Sequence, residues 1–293
     1  VTSHHLSGGT SPRSWGKAIG DHLTHHTDHS MRLPILSLLA LVVGLTACVE
    51  QIERPNGRVG SISATAFSDG GVGTQLNLEA AFFGETDLNF ATPTNDTCFV
   101  AQFNPTNTIN TGFLYLNAGD FLTVRTGSRV DSMRPIIGIP VRVYESSRSN
   151  GIVYTPGDTV SVDIPGTAAF PAASISSRTA EAFTHTPIPV PADGEDIIAS
   201  WTTTPTAGST MTYALRYANS FSSGPQNEQL VCSFVDDGSA TIPAAFLTNW
   251  RNAQAGSRST NVVRVRSREL QLDSRTKLLL IATYGQPLTV LTP

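Results

Sequence analysis

Apolar residues follow two different rhythms along this chain. From Leu33 to Leu45 they run almost unbroken over 13 residues. Beyond residue 57 they alternate with polar ones in short runs bounded by glycine, proline, asparagine or aspartate. The alternation is clearest at Gln75–Phe83, where Leu76, Leu78, Ala80 and Phe82 oppose Asn77, Glu79 and Ala81. It recurs at Thr212–Tyr217, where Tyr213, Leu215 and Tyr217 oppose Thr212, Ala214 and Arg216. Successive side chains of a strand point to opposite faces, so a period of two marks a strand half-buried on a core. Arg58–Phe67 reads the same way, with Val59, Ile62, Ala64 and Ala66 available for an inner face. Further strands are expected at 97–103, 113–116, 121–125, 136–144, 152–154 and 159–164, then at 196–202, 229–235, 262–268, 277–284 and 288–291. Asn117–Asp120 and Pro156–Asp158 carry turn chemistry. Pro243–Trp250 is the one short helix, since proline is tolerated in a first turn. The expected class is all-β.

Pro187, Pro189 and Pro191 break this rhythm. Prolines at every second position cannot donate to a central ladder, so 184–195 reads as an extended linker or edge segment. The domain boundary is placed there, between β-sandwich modules at 58–183 and 196–293. Leu76–Phe83 followed by Thr97-Cys98-Phe99-Val100 parallels Tyr213–Tyr217 followed by Val231-Cys232-Ser233-Phe234. That echo suggests related modules, each with a cysteine at an equivalent strand.

The unbroken run has a different meaning. Thirteen residues are too few to cross a hydrocarbon layer that needs roughly 20, and they suit the core of a signal peptide. Met31-Arg32 precedes the run, and Leu45-Thr46-Ala47-Cys48 ends it. This arrangement resembles a bacterial lipoprotein signal with its lipobox. The resemblance implies cleavage before Cys48 and a lipid on that residue. Residues 31–47 are then the signal peptide and 48–57 a tether. Val49 rather than aspartate after the cysteine implies the outer membrane. Residues 1–30 hold six of the seven histidines. Histidine-rich tracts can bind metal, but cleavage at Cys48 discards this one. Residues 1–30 are expected to be a non-native leader or misassigned start that packs on nothing.

Three segments in the last hundred residues carry a second resemblance. They are Ile197-Ile198-Ala199-Ser200-Trp201, Tyr213-Ala214-Leu215-Arg216-Tyr217 and Val262-Val263-Arg264-Val265-Arg266. Their order resembles a fibronectin type III or immunoglobulin-like sandwich over about 194–293. The resemblance implies that Trp201 fills the core.

Charge and composition narrow the chemistry. Leaving out Arg13, Lys17, Arg32, Asp21 and Asp28 takes 19 basic and 23 acidic residues to 16 and 21, a net charge of −5. That balance argues against nucleic acid as a partner. His185 is the one histidine after the signal, and it sits in the proline-rich segment. No G-x-S-x-G, H-E-x-x-H or phosphate-loop pattern occurs. No catalytic residue, metal ligand or cofactor is expected. Asp236-Asp237-Gly238 reads as a turn, and Asp193, Glu195 and Asp196 as a solvated acidic stretch.

Arg264, Arg266 and Arg268 fall at period two and share one strand face, with Val263 and Val265 opposite. Such a ladder suits an anionic glycan, a lipid phosphate or a carboxylated polymer, or it is a solvent face paired with neighbouring acids; the partners expected of the protein are the membrane through Cys48 and an anionic glycan or envelope protein. Export and an even count without Cys48 favour a disulfide between Cys98 and Cys232, but one cysteine in each module favours separate buried thiols, and the second is the expectation. The expected function is a lipid-anchored cell-envelope protein with a binding or structural role. The alternative is an envelope glycan hydrolase working through two carboxylates.

Overall fold

The computed structural model describes residues 57–68, 75–86, 96–103, 114–137, 142–146, 151–218, 226–287 and 290–291. The lipobox, residues 1–30 and nearly all of the tether lie outside the described residues. The chain is all-β. Its strands begin with β1 (Gly57–Phe67), β2 (Gln75–Thr86), β3 (Thr97–Gln102), β4 (Leu114–Tyr115), β5 (Leu122–Thr126) and β6 (Arg129–Ile137). Then come β7 (Arg142–Ser146), β8 (Ile152–Val153), β9 (Thr159–Ile164), β10 (Ala173–Arg178), β11 (Ile188–Pro189) and β12 (Ile197–Ser200). After these are β13 (Ser209–Tyr217), β14 (Glu228–Val235), β15 (Ser239–Ile242), helix α1 (Ala244–Asn252), β16 (Ser259–Asp273), β17 (Thr276–Pro287) and β18 (Val290–Leu291).

Most strands join one large sheet in the order β10-β9-β5-β6-β7-β2-β1-β17-β16-β13-β14-β3. Its end strand β10 lies against β16 and β17, so the sheet turns back on itself and packs in layers around an apolar core. The period-two reading locates that core. Leu76, Leu78, Ala80 and Phe82 of β2 are buried, as are Met211, Tyr213, Leu215 and Tyr217 of β13. Close packing reaches the backbone at Gly60, where a Cβ would sit 2.6 Å from Leu278 Cδ1. Any larger residue there would displace the core.

Long-range pairing sets the topology. β1 pairs in parallel with β17 from Arg58↔Thr276 to Phe67↔Gly285. β3 pairs antiparallel with β14. The expected boundary at 184–195 is therefore crossed by a sheet that draws strands from both sides of it. The described residues form one compact unit. The proline-rich segment is an edge of that unit. The Thr184 N–H donates to Thr202 Oγ1, the Thr202 N–H donates to Thr184 O, and β11 pairs in parallel with β18.

The strand expected at 136–144 is instead a hairpin. β6 and β7 pair antiparallel from Met133↔Ser146 to Ile137↔Arg142. Gly138 and Pro140 fall between them, and neither favours an uninterrupted central strand. The alternation of apolar and polar residues does not announce β10 or β15. In β10 only Ile175 is buried, among serines, and that is too weak an apolar signal for a period to register.

Candidate functional site

β16 alternates as its sequence demands, but the alternation is inverted with respect to solvent. Thr260, Val262, Arg264 and Arg266 face inward, while Val263 and Val265 are half-buried on the outer face. Arg268 is exposed. The three arginines thus form no accessible ladder, since two of them are held in the interior.

An arginine survives burial only when its charge and its donors are met. Arg264 is fully buried. Its Nη1 donates to Glu181 O at 3.3 Å and Ala182 O at 3.2 Å. Its Nη2 donates to Thr202 O at 2.5 Å and Asp236 Oδ1 at 3.1 Å. Nε stands 2.7 Å from Asp236 Oδ2, an ion-pair contact that falls outside hydrogen-bond geometry. The guanidinium also lies over the Phe183 ring, 5.1 Å from its centroid. Asp236 accepts two further bonds, from Trp201 Nε1 at 2.7 Å and Ser209 Oγ at 2.6 Å.

Arg266 is met differently. Its Nε and Nη2 each reach one oxygen of Glu181 at 2.8 Å, the bidentate geometry that arginine provides and lysine does not. Its remaining donors go to Ala207 O at 3.0 Å and Thr206 O at 2.7 Å. Together the two arginines bind β16 to the segment before the proline-rich edge, to the 202–207 loop and to the turn after β14. The cluster acts as a structural clasp. Both guanidiniums are buried and directed at partners inside the body.

The turn at Asp236-Asp237-Gly238 forms as expected, with Gly238 at φ +110°, where glycine is favoured. Its two acids divide: Asp236 turns inward to the clasp and Asp237 outward. Trp201 is buried and its ring centroid lies 5.8 Å from that of Tyr213. His185 forms an isolated bridge with Trp201. Of the acids near the edge, Asp193 pairs with Arg251, and Asp196 Oδ1 accepts the Ala244 N–H at 2.7 Å. The second contact caps the start of α1, since Pro243 offers the helix no side-chain cap.

Cys98 and Cys232 correct the expectation of separate thiols. They stand directly opposite each other in the β3–β14 pair and form a disulfide across 134 residues. The two strands are neighbours in one sheet, so the cysteines do not lie in separate cores as the proposed repeat required.

An open groove of about 330 Å³ lies on the outer face of β1, β2 and β7. Ser63, Thr65, Asn77, Glu79, Glu145 and Ser146 line it with polar groups. Glu79 and Glu145 are directly opposite in the antiparallel β2–β7 pair. Like charges in that relation destabilise a sheet modestly. Among the described residues, no group of three or more histidines, cysteines and acids is placed to hold a metal ion.

No family model matches the chain, and no curated protein matches it. Among solved structures it is similar to the crystal structure of a DUF4785 family protein from Legionella pneumophila subsp. pneumophila str. Philadelphia 1. The two are 8% identical, with a TM-score of 0.24, and the match covers 69% of this chain and 51% of that one. The chain thus spans about half the length of that neighbour.

Proposed function

We propose that this protein is a lipid-anchored component of the bacterial cell envelope, held in the outer membrane through Cys48, whose rigid β body serves binding or structural interaction. The observation that carries the reading is how the three cysteines are used. Two are spent on the Cys98–Cys232 bridge, which suits an oxidising compartment outside the cytoplasm. The third, Cys48, sits where a lipoprotein signal places its acylated residue. The interaction role rests on the order of segments 197–201, 213–217 and 262–266, which suits an immunoglobulin-like module. Replacing Cys48 with serine tests the anchor. The variant is expected in the soluble fraction of lysed cells, and unchanged membrane association would contradict the proposal.

One observation favours a second reading, a glycan hydrolase. Glu79 and Glu145 face each other along a groove, and retaining enzymes set two carboxyl groups about 5 Å apart. Incubation of the purified protein with isolated cell-wall glycan decides between the two. The interaction reading expects no new reducing ends, with wild type and Glu145→Gln alike. Release by wild type that Glu145→Gln abolishes would establish the hydrolase.

A further inference from the structure

The sheet has two unlike ends, and chain connectivity selects one of them. β1 begins at Gly57, where the Arg58 N–H donates to Arg275 O at 2.7 Å. Arg58 Nη2 reaches Asp273 Oδ2 at 3.3 Å, and Nη1 reaches Ala169 O at 3.5 Å. The polypeptide therefore enters the body at the Asp273–Thr276 turn that joins β16 to β17, and it is fastened there by backbone and side chain. The far end of the sheet is marked by Ser259, where β16 starts, with exposed Ala255 just beyond it.

Lengths decide between the ends. Position 57 lies nine residues after position 48, and an extended chain spans at most about 3.3–3.6 Å per residue, so roughly 30 Å in all. β16 has 15 residues, and at about 3.3 Å per residue it is roughly 45–50 Å long. A body standing on its Ala255 end would hold Gly57 farther from the membrane than the tether can reach.

The composition of the near end suits phosphate-bearing headgroups. Arg58 is paired with Asp273, and Lys277 with Glu269 at 2.8 Å. Arg275 is exposed and has no ion-pair partner among the described residues. Leu114, whose partner Gly84 lies near this end of β2, is 51% exposed. An unpaired cation and, some strands away at the same end of the sheet, an exposed aliphatic side chain suit a headgroup layer, where phosphate meets the start of the acyl region.

The geometry points to the Asp273–Thr276 turn as the membrane-facing end of the protein, with Arg275 in contact with lipid phosphate. This inference rests on the anchor at Cys48. It is tested with the full lipidated chain in vesicles of phosphatidylethanolamine and phosphatidylglycerol that carry a headgroup spin-labelled lipid. A fluorophore is placed on Ser274→Cys in one sample and on Ala255→Cys in another. Strong quenching at 274 and none at 255 is expected, with Arg275→Glu weakening the former. Equal quenching at both sites, or stronger quenching at 255, overturns the orientation while leaving the anchor intact. Failure of the protein to float with the vesicles overturns the anchor and the orientation together.

Discussion

Arg264 and Asp236 form an ion pair sealed from solvent, their side chains 1% and 2% exposed and Nε 2.7 Å from Oδ2. Desolvating two charges costs several kcal/mol, and the pair is stable because the remaining donors and acceptors are also met. Breaking one side strands the other. Asp236→Ala is expected to lower the unfolding free energy by about 3–5 kcal/mol. Joining it to Arg264→Met should recover part of that loss, since no buried charge is then left unpaired. Urea unfolding of the wild type, the single variants and the double variant checks this. A loss under about 1 kcal/mol for Asp236→Ala would mean the pair is not buried as described.

The three arginines of β16 should separate cleanly under mutation. Arg266→Lys keeps the charge but forfeits the fork that grips both oxygens of Glu181, so it is expected to destabilise by about 1–3 kcal/mol. Arg268→Ala touches none of these partners and should stay within about 0.5 kcal/mol of wild type. Equal effects at 266 and 268 would contradict the inward placement of the first and the outward placement of the second.

The disulfide joins strands that are 134 residues apart in sequence. Replacing both Cys98 and Cys232 with serine is expected to cost about 2–5 kcal/mol, chiefly by freeing the unfolded chain. Alkylation after denaturation without reductant should leave both residues unlabelled. Labelling of either would show that the β3–β14 edge is closed by backbone pairing alone.

Alkali should weaken the fold through its tyrosines. Burial, and then the bond from Tyr217 OH to Glu228 Oε2 at 2.7 Å, push the Tyr217 phenol up to about 12 from 10.0. Burial pushes Tyr154 and Tyr213 upward as well. The folded state therefore holds these protons more tightly than the unfolded one. Their contribution is complete below about pH 10 and is lost as the pH rises through the folded values. The urea midpoint is expected to be lower near pH 11 than near pH 9, with phenolate absorbance rising late. An unchanged midpoint would contradict the burial of these phenols.

What was legible in the sequence, and what was not, follows from the range of the forces involved. β2 and β13 announce themselves because their own side chains alternate, and burial follows that alternation residue by residue. In β16 the period is equally plain, yet it marks two faces without saying which is inside. Counting apolar residues favours the valine face. What turns the arginine face inward is Glu181, 85 residues before Arg266, and Asp236, 28 residues before Arg264. No local pattern announces either partner. Thr260 and Val262 share parity with the arginines and carry the one available hint, since an apolar inner row that continues into arginine needs internal carboxylates. The parallel β1–β17 pair is likewise invisible locally, and so the chain reads as two modules although one large sheet takes strands from both sides of the expected boundary.

The proposed lipid anchor at Cys48 is tested most directly by intact-mass and peptide analysis of the protein extracted from native envelopes. An N-terminal peptide that begins at Cys48 and carries acyl chains is expected, with no peptide recovered from residues 1–47. An extracted protein with an unmodified Cys48 thiol, or with residues before it still attached, would contradict the account.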